Sequence, residues 1–286
     1  MKNIMGIEYG RGCLRTAIDG GPALGPAAVK KMFPAMNWST ITAAPFDAAA
    51  CAQDRFGENF QIQKQIVSDT PTTRHIMIGG DHSVNYGHFV ALRNRIPAQE
   101  LCLVYIDAHL DIHTPETSRA QASGAPHGTN VRALLGDGDE RWLALQHVSP
   151  ALAPQNLFYL GTRSYEPAEI EYVHQNNIYV CPADKMHDST TLDNIILEIR
   201  NRIGMRPYVV SFDFDVIDPK YFSDVLVPAA NGISVHTAER LLCAFRDAHS
   251  IEFVEYAPSG DNASAQIVQR LLRCVINPSC TAKSLT

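Results

Sequence analysis

Aspartate and histidine gather in three short segments of this 286-residue chain. The first is Gly79-Gly80-Asp81-His82-Ser83, and the second is Asp107-Ala108-His109-Leu110-Asp111. The third is Asp213-Phe214-Asp215, followed closely by Asp218-Pro219. In an extended segment, side chains two residues apart project to the same side. Asp107, His109 and Asp111 therefore converge while Ala108 and Leu110 face away, and Asp213 with Asp215 repeats the arrangement. Carboxylates crowded at the edge of an apolar core lose hydration and repel one another, a large cost unless cations compensate them. Metal ions supply that compensation.

The donor set His82, Asp107, His109, Asp111, Asp213 and Asp215 is rich in oxygen, has some imidazole and contains no thiolate. It suits Mn²⁺, or Co²⁺ or another divalent ion, better than structural zinc. Six donors exceed the needs of one open catalytic ion but suit two ions sharing bridging carboxylates, and four carboxylates offset two dications. Such ions, about 3.5–4 Å apart, can deprotonate a bridging water at neutral pH. Singly, each segment has a bland alternative. His82 could be a turn residue, and Asp213-Phe214-Asp215 could cap an element or match an aspartyl-phosphatase pattern. That pattern belongs in a first strand, whereas here it lies three-quarters along the chain. Three such segments, each closing an apolar run, point to a metal centre.

The elements that must position them are also legible. Short, almost wholly apolar runs occur at His75–Ile78, Leu101–Ile106, Leu157–Leu160, Ile178–Val180, Tyr208–Phe212 and Phe253–Tyr256. Runs that do not alternate apolar and polar predict strands buried on both faces, as in a parallel sheet. Between them, Thr190–Ile203 and Thr237–Ala248 place apolar residues at helical spacing. The alternation predicts an α/β fold, a mostly parallel sheet with helices on both sides. Gly/Pro-rich patches at Asp19–Pro26 and Ala122–Gly128 read as loops, and no linker stands out, so residues 1–286 are expected to form a single domain. Ligands bind beyond the carboxyl ends of parallel strands, which is where the three segments fall.

Composition narrows the function classes. Charged residues make up 19% and the net charge is -6 without a basic stripe, which argues against nucleic acid as a partner. Seven cysteines (Cys13, Cys51, Cys102, Cys181, Cys243, Cys274 and Cys280) are scattered and never form a C-x-x-C pair, so they are expected to be reduced thiols. The N-terminus MKNIMGIEYGRG lacks a signal-peptide pattern, and no run approaches the ~18 apolar residues of a membrane span. The expectation is a soluble, cytoplasmic protein.

The segments Gly79–Ser83, Asp107–Asp111 and Ser211–Pro219 resemble the three signatures of the ureohydrolase family of arginases, agmatinases, formiminoglutamases and related guanidino-acid hydrolases. Asp19-Gly20-Gly21-Pro22 also resembles that family's opening. The resemblance implies one Mn²⁺ on His82, Asp107, Asp111 and Asp213, and a second on Asp107, His109, Asp213 and Asp215. His127, in Ser123–Gly128, is similar to the arginase active-site histidine. Glu255, in Val254–Pro258, is similar to the carboxylate that orients the guanidinium. Read alone, His127 in a Gly/Pro loop and Glu255 in an apolar run are equally compatible with structural roles. The resemblance further implies a three-layer αβα sandwich around a mostly parallel sheet of about eight strands, and a homotrimer or homohexamer.

Among these relatives the chain most resembles arginase. The implied reaction converts L-arginine to L-ornithine and urea through a metal-bridging hydroxide. The histidine of Ser123–Gly128 and the segment Gly161–Glu169, with Glu166 where arginases carry aspartate, support that choice. Ser123, Glu166 and His113 are the expected substrate contacts. His113 and Ala125 stand where arginases carry asparagines for the substrate carboxylate, and alanine offers no side-chain donor. His113 also fits an exposed loop residue. Agmatine, another guanidino acid or formiminoglutamate remain alternative substrates, and a non-catalytic metal-binding relative is the alternative of another class.

Overall fold

The computed structural model describes residues 3–13, 20–45, 47, 49, 53–96, 101–118 and 123–276. Asp19, Cys51, Ala122 and Cys280 lie outside the described residues. The eight strands are β1 (Asn3–Glu8), β2 (Asn37–Thr42), β3 (His75–Ile78), β4 (Cys102–Ile106), β5 (Leu157–Thr162), β6 (Tyr179–Pro182), β7 (Tyr208–Asp213) and β8 (Ser250–Val254). All pair in parallel in one sheet of order β2-β1-β3-β8-β7-β4-β5-β6.

Helices of eight or more residues surround the sheet: α1 (Gly25–Met32), α2 (Arg55–Asp69), α3 (Val84–Arg95), α4 (Pro126–Leu134), α5 (Pro167–Gln175), α6 (Ser189–Ile203), α7 (Val235–Ala244) and α8 (Asn262–Ile276). Alternate residues of each strand feed opposite cores. Val104, Phe158, Val210 and Ile251 pack with Val29 of α1, Ile199 of α6, Leu241 of α7 and Leu271 of α8. Leu103, Tyr105, Tyr159 and Val209 pack with Phe89 of α3, Val131 of α4 and Val173 of α5. At the β1 end of this second face, Met5, Ile7 and Met77 meet Ile62 and Ile66 of α2. The expected three-layer sandwich is present, and its sheet is wholly parallel. Among the described residues no helix is long and apolar enough to cross a membrane.

Three local expectations need correction, the first being the Gly/Pro-rich loops: Gly21–Leu24 is a 3₁₀ turn, α1 begins at Gly25 and α4 begins at Pro126. The last strand is Ser250–Val254 rather than Phe253–Tyr256. Glu252, wholly buried on β8, interrupts the apolar run, and Glu255 leaves the strand at φ 65°. The segment after β4 is not extended. Residues 107–109 bend and Asp111 sits at φ 49°, so convergence there comes from a coiled loop rather than strand alternation. Asp215 likewise lies in a 3₁₀ turn, Phe214–Val216.

Candidate metal centre and active site

The sheet order explains why segments far apart in sequence meet. β3, β8, β7 and β4 are consecutive neighbours, so the chain leaving their carboxyl ends delivers His82, Glu255, Asp213 and Asp107 to one place. Gly80 is required there. A Cβ on it would lie 1.6 Å from the Tyr9 carbonyl oxygen, so only glycine lets the loop after β3 pass the end of β1. Asp81 is structural: it accepts from Gly12 N at 2.6 Å and from Ser83 N at 2.9 Å.

Two groups of potential ligands share Asp107: His82 with Asp107 and Asp111, and Asp107 with His109 and Asp215. His82 Nδ1 lies 2.9 Å from Asp107 Oδ2, 3.1 Å from Asp213 Oδ2 and 3.4 Å from Asp111 Oδ2. His109 Nδ1 lies 3.0 Å from Asp215 Oδ2 and 3.5 Å from Asp107 Oδ1. Asp213 serves twice, because its Oδ1 accepts from Asp215 N at 2.7 Å while its Oδ2 faces His82. Asp213 thus caps the turn at Asp215 and also faces His82, while the two groups of potential ligands form without it.

The donors are also oriented from behind. His82 Nε2 meets Ser211 Oγ at 2.9 Å, which leaves Nδ1 facing the carboxylates. Tyr105 donates to Asp111 Oδ2 at 2.8 Å and stacks on His82 with centroids 4.4 Å apart. Such supporting contacts fix a ligand's direction. Ser211 was within reach of sequence reasoning, since it sits two residues before Asp213 on the same strand. Tyr105 carries no comparable signal.

The chemistry of the donors fits divalent ions. His82 Nδ1 and Asp107 Oδ2 are buried without a properly oriented hydrogen bond, although they approach each other closely. Burial, then Asp215 and Asp107, push the Asp213 carboxyl well above the usual range. Burial and Asp107 raise Asp215 in the same way and bring Asp111 up to about 6. Burial alone would lower His82 and His109, but the carboxylates around them outweigh it and raise both. The raised Asp213, Asp215 and Asp111 describe negative charge in want of a cation. Burial would raise Asp107 too, but His109 and His82 hold it below the usual carboxylate range.

Beside this cluster opens a cleft of about 260 Å³. His127, in the first turn of α4, is held by Gly12, whose carbonyl lies 3.0 Å from Nδ1. Burial would lower its pKa, but Cys13, then Asp111 and Glu255, push it up to about 10. Glu255 accepts from His82 N at 2.8 Å through Oε1, which ties it to the candidate metal loop. Burial, then Asp81 and Cys13, hold its carboxyl well above the usual range. Glu255 and Asp111 both adopt positive φ without being glycine, a strained state of order 1–3 kcal/mol that surroundings must hold.

Ser123, Glu166 and His113 all line the same cleft. His113 is not an exposed loop residue, being 1% exposed. Its Nδ1 meets Thr117 Oγ1 at 3.0 Å, and its Nε2 lies 3.3 Å from Glu169 Oε2 and 3.6 Å from Glu166 Oε1. Glu166 and Glu169 form a capping box at the start of α5. Ala125 is wholly buried. Cys13 also lines the cleft, and nothing in its sequence context announces it.

Comparison with known proteins bears on this geometry. Residues 4–277 match the arginase family as a whole. Over 77% of its length the chain is 28% identical to an arginase of Neurospora crassa, and the alignment spans 65% of that protein. Thus the chain matches about two-thirds of that relative's length. An Entamoeba histolytica arginase, solved in complex with L-ornithine, is similar with a TM-score of 0.81 at 21% identity, covering 96% of this chain and 98% of that one. Proclavaminate amidino hydrolase of Streptomyces clavuligerus has a TM-score of 0.70 at 20% identity, covering 96% and 89%. At such identities the likeness concerns the fold. The family match runs through nearly the whole sequence, and on it the chain belongs to the arginase family.

Proposed function

We propose that the chain is a two-metal hydrolase of guanidinium groups, with L-arginine, cleaved to L-ornithine and urea, as its first candidate substrate. The observation that carries this reading is the convergence of His82, Asp107, Asp111, His109 and Asp215 in two groups sharing Asp107, with Asp213 at 3.1 Å from His82. His82, Asp107, Asp111 and Asp213 would hold one ion, and Asp107, His109, Asp213 and Asp215 the other. The oxygen-rich donors favour manganese. When bound, two divalent ions activate water at neutral pH and offset charge that develops during attack.

The protein's own groups do the rest. A guanidinium carbon is a poor electrophile because three nitrogens share its charge, so orientation and proton delivery matter. Glu255, fixed by its bond from His82 N, faces the planar cation, whose charge favours the ionised carboxylate that burial disfavours in the empty cleft, so that charge-assisted hydrogen bonds form on binding. His127 keeps its proton at neutral pH through Cys13, Asp111 and Glu255, and delivers it to the departing amine. Glu166, with Glu169 behind it, receives an ammonium group at the far end of the substrate, and Ser123 offers a hydroxyl there.

One observation favours a second reading. His113 is enclosed by Glu166, Glu169 and Thr117, and Ala125 offers no donor, so the far end is poorly equipped for a carboxylate. A guanidino-amine such as agmatine fits that surface. Urea release from the Mn²⁺-loaded protein, measured with L-arginine, agmatine and guanidinobutyrate, separates the two readings. Formamide release from formiminoglutamate covers the remaining alternative. No product from any of the four would refute the hydrolase reading.

A further inference from the structure

Beneath the candidate metal centre lies a second set of polar side chains that the proposed chemistry does not use. His75 opens β3, Asn85 and His88 lie in the first turns of α3, and Glu252 occupies the middle of β8; all four are fully buried. His75 Nδ1 lies 2.8 Å from the Thr73 carbonyl oxygen, and His75 Nε2 lies 2.7 Å from His88 Nε2. His88 Nδ1 lies 2.5 Å from Glu252 Oε1, and Asn85 Nδ2 donates to Glu252 Oε2 at 2.5 Å. The Thr73 carbonyl can only accept, so His75 carries its proton on Nδ1. Each of the two remaining contacts needs one proton. The two imidazoles and the carboxylate together therefore hold one proton more than two neutral histidines would, and that proton balances the charge of Glu252.

The chain is placed to act on the site above it. Asn85 follows His82 by three residues and Glu252 precedes Glu255 by three. Hydrophobic packing between α3 and β8 tolerates small sliding, whereas directional bonds between buried polar groups specify one register. That register is the one in which His82 N reaches Glu255 Oε1 at 2.8 Å. We propose that the His75–His88–Glu252–Asn85 network is a positioning device that fixes the metal-ligand loop at His82 relative to Glu255. Glu252 is its central member, because it alone touches both partners on α3. This inference rests on the two-metal reading of the site.

The test is Mn²⁺ affinity, read from the electron-paramagnetic-resonance signal of free Mn²⁺ during titration, with circular dichroism to verify folding. Glu252→Gln keeps the shape of the side chain but puts an amide where two donors expect oxygen or a shared proton. Asn85→Ala removes one bond only and serves where the first variant folds poorly. Both are expected to bind Mn²⁺ about tenfold more weakly than the unaltered protein, as loss of supporting contacts generally does. Leu241→Ala, in the opposite core on α7, supplies a destabilised control that keeps the original Mn²⁺ affinity. Affinity within twofold of the original in both network variants would overturn the inference alone. So would an equal loss in Leu241→Ala, since the effect would then be general destabilisation. Absence of Mn²⁺ binding by the unaltered protein would overturn the two-metal reading and this inference with it.

Discussion

Replacing Asp213 by asparagine separates the two things a crowded carboxylate does. In the metal-free protein, burial and the neighbouring Asp215 and Asp107 raise its pKa, so its ionisation works against the folded state. For a group raised on folding, the stability contribution is present at low pH and disappears as pH rises. At neutral pH, therefore, removing the charge does no harm. Asparagine also keeps an Oδ1 that accepts from Asp215 N, so the 3₁₀ turn retains its cap. The metal-free variant is expected to melt at or slightly above the temperature of the unaltered protein.

The metal-loaded comparison goes the other way. An ion present at a thousandfold excess over its dissociation constant stabilises the folded state by about 4.1 kcal/mol. With about 2.1 cal/mol/K of unfolding entropy per residue, a chain of this length has about 600 cal/mol/K, so one ion raises Tm by about 7 °C and two by about 14 °C. Asp213→Asn is expected to lose at least half of that rise, because Asp213 faces His82 in one group and caps Asp215 in the other. Differential scanning calorimetry of chelator-treated protein, with and without added Mn²⁺, reads both effects. An undiminished Mn²⁺ shift in the variant refutes the ligand assignment. A metal-free variant melting several degrees lower refutes the electrostatic argument.

Other perturbations test other parts of the reasoning. His127→Ala is expected to lower kcat by roughly 10²–10⁴-fold while the Mn²⁺-induced rise in Tm persists, and a fully active variant would remove His127 from the chemistry. Gly80→Ala must displace the loop at the Tyr9 carbonyl, at a cost of about 1–3 kcal/mol, and should lower both Tm and Mn²⁺ affinity. Acidification probes His75, whose pKa is lowered to about 3 by burial, then by His88 and His249. A lowered pKa gives stability that is present above about 6.5 and lost as pH falls towards 3, so the loss grows steadily across that window. Urea unfolding of metal-free His75→Gln should then show a shallower pH dependence between 6.5 and 4.5, and parallel profiles would contradict the assignment.

The strands that position the site were the most legible because they are buried on both faces. The run His75–Ile78 became β3 without alteration, and β4 and β7 shifted by one residue at an end. β1 and β2 escaped notice for different reasons. β1 carries Gly6 and is bounded by the polar Asn3 and Glu8, while β2 is the edge strand Asn37–Thr42, mostly polar and exposed, with only Ile41 buried. β8 begins three residues earlier than its apolar run suggests because Glu252 looks like an interruption, and its burial is supported by His88 and Asn85 from another element. The candidate ligands could be named from residue type and strand-end position, yet the way they converge could not. Alternation along a strand predicts that Asp107, His109 and Asp111 share one side. The chain instead bends after Ile106, and Asp111 reaches His82 from a left-handed backbone position while Tyr105 holds its carboxylate. Glu255 turns into the cleft from a similar position, held by His82 N. Both residues occupy conformations that local preference resists, so the energy holding them comes from contacts across the sheet. Those contacts join residues separated by up to 173 positions, a distance over which no local pattern in the chain carries information.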